Sequence, residues 1–431
     1  MKKLIFKLPF TLLFAALISL CAFFSGCLSS EEWFEKTIKE NYFYEVPEEA
    51  FDGGDFKETV KKYLDIYSAY YTANEYESVK QSNAGSKSGI GISYSYVEGK
   101  GVYVASVTGN SPAYISGLRV GDWLESATCK GEKTVFKSAS DLSGVVSGAK
   151  DGESIEFASA DGKTFTLSKA EYTATYTYMC TDSASYAFSY RDSGLKLIES
   201  ERDKIEYLPE GCAYINLSQF YGSAGTEFMM LAEEFNALNL ESMIIDLRSN
   251  GGGYVSVMQE IAGCFAEGEA KTAMVARDKY GREDRFSSAR IESAKRRVPK
   301  GTKIYVMANN GTASASEALI GALVSYGYLE YKDVFLSEFT EGYVDWLTAN
   351  GVQDIKNART YGKGIMQSTF TNYTTGEALK LTTAQIYWPN GKCIHDKGLT
   401  PEDGCTKVKA DWERLKPDTE LQNVIKIIES R

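Results

Sequence analysis

Two stretches of this chain repeat one pattern, and that repeat narrows the fold more than any other feature. A short, almost continuous apolar run is followed by a turn of small residues and then by apolar residues at helical spacing. In the first, Met243-Ile244-Ile245-Asp246-Leu247-Arg248 passes through Ser249-Asn250-Gly251-Gly252-Gly253 to Val255, Met258, Ile261 and Ala262. In the second, Ile304-Tyr305-Val306-Met307-Ala308 passes through Asn309-Asn310-Gly311-Thr312-Ala313-Ser314 to Ala318, Leu319, Ala322 and Leu323. Apolar runs without polar alternation read as strands buried on both faces, and the three-to-four spacing reads as helix. Repeated strand–turn–helix units favour an α/β core whose turns gather at one end of the sheet, where a site assembles.

Ser314 then stands at a helix N-terminus. There the first amides lack intrahelical partners and the dipole favours negative charge, so an oxyanion formed beside Ser314 meets ready donors. Ser314-Ala315-Ser316-Glu317 is equally a capping box, and on this stretch alone both readings stand. The three glycines of the other turn let backbone approach a bound group without an intervening Cβ. They do not form a phosphate loop, because no Gly-Lys-Ser/Thr follows and the Gly-x-Gly-x-x-Gly spacing is absent.

A third stretch, Tyr361-Gly362-Lys363-Gly364-Ile365-Met366-Gln367, supplies a base. The chain has one histidine, His395, in a loop-like sequence. A lysine can replace an imidazole if burial or the lack of a counter-charge lets it shed its proton. Lys363 lies between glycines with no acid close in sequence, and if 361–370 is a strand, Lys363, Ile365 and Gln367 share a face. These three stretches, in this order, resemble the S41 serine peptidases, the C-terminal processing or tail-specific proteases. The resemblance implies an α/β peptidase core of crotonase-like strand–turn–helix units. It also implies Ser314 as nucleophile, Lys363 as general base, Gln367 as its orienter, and the amides of Gly252 and Ala315 as the oxyanion hole. It calls for no metal or organic cofactor. Lys397-Gly398-Leu399-Thr400-Pro401 matches a turn of that family, which makes His395 a loop residue, and Gly376–Gln385 resembles the strand that follows the lysine motif. The 49 positions from 314 to 363 exceed the usual family connection. The surplus falls between Tyr331 and Arg359, where Phe339, Tyr343, Trp346 and Leu347 suggest a helix or lid beside the site.

The N-terminus is basic, and an apolar run from Leu8 to Phe24 precedes Ser25-Gly26-Cys27, as in an export signal. The junction resembles a lipoprotein processing site, with Cys27 as the lipidated residue. Phe24 departs from that pattern, and an uncleaved membrane anchor is the competing reading. The chain is expected to be a cell-envelope lipoprotein of a Gram-negative bacterium, held at the membrane by its N-terminal lipid. The expected divisions are a signal at 1–27, a helical segment with linker at 28–85, a small β-rich domain at 86–172 and the peptidase domain at 173–431. Within 86–172, Gly89-Ile90-Gly91 and Ser111-Pro112-Ala113 through Gly121-Asp122 resemble a PDZ domain. In that family, amides at the place of Gly89, Ile90 and Gly91 hold a peptide's terminal carboxylate, while the edge strand pairs with the peptide. A domain that only spaces or gates its neighbour fits the same residues.

A net charge of −11 argues against a nucleic-acid partner. No CxxC pair occurs among the eight cysteines, which disfavours a zinc site, and a Cys393–Cys405 disulfide is permitted but not required. The expected reaction is amide hydrolysis in unfolded or C-terminal polypeptide segments. A non-catalytic peptide- or ligand-binding lipoprotein on the same fold is the alternative from another class, and an esterase using the same dyad is a third reading.

Overall fold

The computed structural model describes residues 29–191, 194–349, 355–411 and 418–431. The expected signal and Cys27 lie outside the described residues. The chain divides into two compact units, one of residues 78–366 with 384–431 and one of the N-terminal residues to 77 with 367–383.

The larger unit is built on an eight-stranded sheet. Its order is Gly194–Ser200, Ser185–Arg191, Thr177–Cys180, Cys212–Leu217, Ser242–Asp246, Lys303–Ala308, Val334–Phe339, Thr406–Ala410. Neighbours from Cys212–Leu217 onward pair in parallel, and the first three strands join antiparallel. Side chains alternate between two apolar layers, as the period of two requires. Ile215, Ile245, Val306 and Leu336 pack with Phe228, Leu231, Met258, Ile261, Leu319 and Leu323 from the helices Ala224–Ala237, Val255–Gly263 and Ala315–Ser325. Tyr214, Ile244, Met307 and Phe335 face the other way and pack with Leu421, Val424 and Ile425 of the C-terminal helix Thr419–Glu429. Covering both faces explains the unbroken apolar runs, since each such side chain contributes about 1.5–3 kcal/mol when removed from water.

Residues 334–339 correct the expectation for the inserted stretch. They form a strand inside this sheet, between Lys303–Ala308 and Thr406–Ala410, which takes in Phe339, while Tyr343, Trp346 and Leu347 lie on the expected helix, Glu341–Ala349, which has no buried residues. The lysine motif also differs from its expected strand. The strand begins at Ile365 and ends at Thr371, so Lys363 lies in irregular backbone ahead of it and the shared-face reasoning does not reach that residue.

The same unit carries a smaller sheet in the order Ile92–Val97, Gly101–Val107, Trp123–Cys129, Ser154–Ser159, Thr164–Ser168, with Glu132–Val135 also pairing to the middle strand. Its own core contains Val102, Val104, Leu118, Leu124, Leu142, Ile155 and Phe157, and the helix Ala139–Gly148 contributes Leu142. Ser86–Gly89 pairs antiparallel with Ala170–Thr173, closing the segment near its two ends. Arg119 binds Asp203 through two nitrogens at 3.0 and 2.7 Å, which joins this part to the main sheet's connections.

The smaller unit differs from the helical segment expected there. Helices Ser30–Asn41 and Phe56–Tyr63 are present, but the strand Ala69–Tyr71 pairs antiparallel with Ala378–Lys380. Phe34, Ile38, Tyr42, Val60, Leu379 and Leu381 form its core, so chain from both ends of the sequence is needed to bury one apolar face. Among the described residues no helix is long and apolar enough to cross a membrane, and Cys129, Cys180, Cys212, Cys264, Cys393 and Cys405 are all unpaired thiols.

One buried ionic cluster holds the C-terminal helix to the end of the strand Ser242–Asp246. Arg248, with a side chain 1% exposed, reaches Asp246 at 2.6 Å, Asp418 at 2.7 Å and Glu420 at 2.6 Å. Tyr214 donates to Asp246 at 2.6 Å and Ser337 to Glu420 at 2.6 Å. Removing the cation strands three carboxylates, so Arg248→Met is expected to cost about 3–5 kcal/mol in urea unfolding, whereas a loss below about 1 kcal/mol would show that the carboxylates are neutral there.

Candidate active site

Ser314 and Gly252 come together because their strands are neighbours, and the lysine motif joins them through bonds from its backbone. Parallel strands release their chains at the same edge, and Cys212–Leu217, Ser242–Asp246 and Lys303–Ala308 are adjacent. Two asparagines sew the turns. Asn309 accepts from the amides of Ser249 and Gly311 at 2.8 and 2.9 Å, and Asn250, fully buried, accepts at its carbonyl from Ala313 at 3.0 Å and from the Ser316 hydroxyl at 2.9 Å.

Ser314 has φ 58° and ψ −117°, a region that a residue with a Cβ rarely occupies. Such a backbone costs about 1–3 kcal/mol and persists only where its surroundings impose it. A sharp strand-to-helix turn of this kind lifts a side chain clear of the sheet edge, and Ser314 is half-buried while its neighbours Ala313 and Ala315 are buried. Ala315 opens the helix Ala315–Ser325 and so contributes an amide from its first turn.

Glu317 is the residue whose role the sequence reading understated. The amide of Ser314 donates to its Oε2 at 3.0 Å, as a capping box requires. Three further donors come from the lysine motif. The amide of Lys363 reaches the same Oε2 at 2.9 Å, while the amide of Gly362 and the hydroxyl of Thr360 reach Oε1 at 2.8 and 2.6 Å. Since both amides bond one oxygen, the backbone nitrogens of Ser314 and Lys363 lie within about 6 Å of each other. A separate bond from the Tyr361 amide to the Thr312 carbonyl, at 2.9 Å, holds the same approach. Glu317 is 0% exposed, and burial pushes its carboxyl above the ordinary range, against the four donors that pull it down.

Lys363 is half-buried between two glycines that have no room for side chains. A Cβ on Gly362, at φ 86°, would meet the amide of Gly398 at 2.7 Å, and one on Gly364 would meet the His395 amide nitrogen at 2.7 Å. The turn of residues 394–398 therefore backs the lysine, which is where His395 falls. His395 supports the segment through its backbone, and its Nε2 lies 3.6 Å from Asp396.

Gly252, at φ 93°, lies against the nucleophile turn: a Cβ there would be 2.8 Å from the Ala315 nitrogen and 2.9 Å from the Ser314 Cβ. Its amide differs from the expectation of an open oxyanion donor, because it donates to Asn250 Oδ1 at 2.9 Å. Gln367 belongs to the smaller unit, where its Nε2 donates to Thr382 Oγ1 at 3.0 Å. Gly89, Ile90 and Gly91 line a separate cavity of about 530 Å³, together with Lys87, Leu142 and Lys169.

The profile of Peptidase family S41 matches residues 211–329 and 348–403. The chain carries a peptidase domain of family S41. Ser314, Ala315, Lys363, Gln367 and the glycine turn all fall inside the matched residues, and the unmatched residues between them include the strand Val334–Phe339. The chain is 25% identical to the chloroplastic C-terminal processing peptidase of Tetradesmus obliquus, across 95% of this chain and 78% of that one. It is 24% identical to the carboxy-terminal processing protease CtpB of Bacillus subtilis, across 84% of this chain and 65% of that one. A solved structure of an S41 protease from Bacteroides fragilis shares the fold, with a TM-score of 0.58 at 13% identity, over 92% of this chain and 97% of that chain.

Two tests address the geometry of this S41 site. Glycine relieves the Ser314 backbone, so Ser314→Gly is expected to be more stable to urea than Ser314→Ala by about 1 kcal/mol, and equal midpoints would mean the turn is unstrained. For Glu317 the sign follows from its raised carboxyl: the associated stability is complete below the ordinary carboxyl range and is lost as pH rises through the raised value. Glu317→Gln should flatten that slope, leave amides facing a side-chain N–H₂ at about 1–3 kcal/mol each, and lower turnover. A variant with unchanged pH dependence and unchanged turnover would remove Glu317 from the account.

Proposed function

We propose that this S41 peptidase is a serine-type endopeptidase working through a Ser314–Lys363 dyad on unfolded or C-terminal segments of exported proteins. The observation that carries this reading is the shared Glu317 oxygen, which ties the amide of a serine in a strained turn to the amide of a half-buried lysine. Neutral Lys363 takes the Ser314 hydroxyl proton as Oγ bonds to the scissile carbonyl carbon. The oxyanion is held by the Ala315 amide at the helix start and by an amide of the glycine turn. Lys363 then returns its proton to the leaving amine as the C–N bond breaks, and water, deprotonated by the same lysine, frees Ser314 from the acyl-enzyme. Gln367 is assigned as orienter of the lysine by family resemblance.

Tail-directed cleavage is supported by the names of the relatives from Tetradesmus and Bacillus, both C-terminal processing enzymes. The cavity at Gly89, Ile90 and Gly91 is assigned to a PDZ-like domain that captures a substrate's chain end, its lysines and apolar floor suiting a carboxylate followed by an aliphatic side chain. Export by the N-terminal signal and lipidation at Cys27 would put the enzyme in the envelope of a Gram-negative bacterium, facing extracytoplasmic substrates.

The reading is tested by incubating the chain from Leu28 onward with an unstructured polypeptide, beside Ser314→Ala and Lys363→Ala. Wild type is expected to cut, and both folded variants to lose at least about 10³-fold in kcat/KM. Full activity in Lys363→Ala would overturn the base assignment. A wild type that binds the polypeptide without cutting it, and that a fluorophosphonate does not label, would support a binding lipoprotein instead.

A further inference from the structure

Ahead of Lys363 the chain runs beside the end of the strand Val334–Phe339, a neighbour of the strand that leads to Ser314. Asn357 accepts from the Phe339 amide at 2.6 Å and donates to the Phe339 carbonyl at 3.4 Å, and the Ala358 amide donates to the Ser337 carbonyl at 3.1 Å. These bonds hold the backbone next to Lys356 at the sheet edge from which Ser314 emerges.

Tyr361 then places the Lys356 ammonium. Lys356 Nζ donates to the Tyr361 carbonyl at 3.1 Å and lies 4.6 Å from the centre of the Tyr361 ring. The N–H of that same peptide belongs to Gly362 and points to the buried Glu317, and in a planar trans peptide the carbonyl and the N–H point in opposite directions. Lys356 is therefore on the outer side of a segment whose inner side is tied to Ser314. The Tyr361 amide is bonded to the Thr312 carbonyl at 2.9 Å, two residues before Ser314, so the ammonium lies within about 15 Å of the Ser314 nitrogen. An extended polypeptide covers that distance in no more than about five residues.

This cation is left without an anion. An ammonium has three N–H groups, and the Tyr361 carbonyl takes one of them. Lys356 is half-buried, where an unpaired charge is costly, yet among the described residues no carboxylate forms an ion pair with it. The nearby acids are otherwise engaged. Glu338, on the strand that this segment runs beside, pairs with Lys407, Glu317 is filled by donors from the nucleophile turn and the lysine segment, and Asp396 faces His395.

We propose that Lys356 receives a carboxylate of the substrate and so selects polypeptides that carry one within about five residues of the bond that is cut. Resting on the Ser–Lys reading above, this adds a substrate class to it. A chain terminus and an acidic side chain present the same anion, and a substrate lying over Lys356 excludes the water that would weaken the pair.

The test uses the chain from Leu28 onward and internally quenched peptides built on one unstructured sequence. In one series the peptide stops one to five residues past the cut, as the free acid or as the amide. In the other, Asp replaces Asn, one position at a time, over five residues on each side of the cut. Wild type is expected to favour the carboxylate at one position by about 10-fold or more in kcat/KM, mainly through KM. Preference for acid over amide ends identifies a chain terminus as the ligand, and preference for Asp over Asn identifies an acidic side chain. Lys356→Met is expected to lose the preference, Lys356→Arg to retain it, and Lys356→Glu to reverse it in favour of Lys at that position. A residue that only packs against Tyr361 would instead change the rates of both members of each pair alike. A wild type that cuts both members of every pair equally overturns the proposal and leaves the dyad standing, as does a preference that survives in Lys356→Met. A wild type that cuts neither these peptides nor the unstructured polypeptide overturns the Ser–Lys reading and this proposal with it.

Discussion

A single buried carboxylate connects the two halves of the chemistry. Glu317 is on the first turn of the helix that Ser314 begins, and its two oxygens accept four donors from positions 314, 360, 362 and 363. A carboxylate out of water is costly unless its lone pairs are filled, and here every filling donor belongs to one of the two segments that must meet. The same requirement that keeps Glu317 tolerable therefore holds the nucleophile turn and the lysine segment together. Thr360 extends the chain of bonds, since its hydroxyl also accepts from the Leu399 amide at 2.7 Å and draws in the turn that backs Gly362 and Gly364.

The parallel sheet supplies what Glu317 cannot. Strand order puts the glycine turn between Phe220 and Ser314, and Asn250 and Asn309 fix its separation from the nucleophile turn. Beneath it, Arg248 ties the same strand end to the C-terminal helix through Asp418 and Glu420. The site is thus backed on both faces of the sheet, by the helix Ala315–Ser325 and by the helix Thr419–Glu429. Preorganisation of this kind is what an oxyanion needs, because donors that are already oriented need no rearrangement as charge develops.

Local patterns in the sequence carry a good part of this. The strands Ser242–Asp246 and Lys303–Ala308 are legible because burial on both faces leaves unbroken apolar runs, and Ser314 is legible because a helix begins beside it. The relations among these pieces are less so. Glu317 reads as half of a capping box, since its other partners lie more than 40 positions away. Asn250 reads as a turn residue, since nothing near it in sequence shows that Leu217 and Ala313 converge on it. The strand Val334–Phe339 was hidden in a stretch that departs from the family, where aromatic residues suggested a lid, and Ala69–Tyr71 was hidden in a helical segment whose pairing partner is some 300 residues on.

The central claim is that Lys363 acts on Ser314 as its base. It is tested most directly by the rate of Ser314 acylation by a fluorophosphonate as a function of pH, in wild type and in Lys363→Met. The account predicts a wild-type rate that rises through a single ionisation to a plateau, and a slower, pH-independent rate in the variant. Persistence of the wild-type profile in Lys363→Met, with the variant folded, would contradict it.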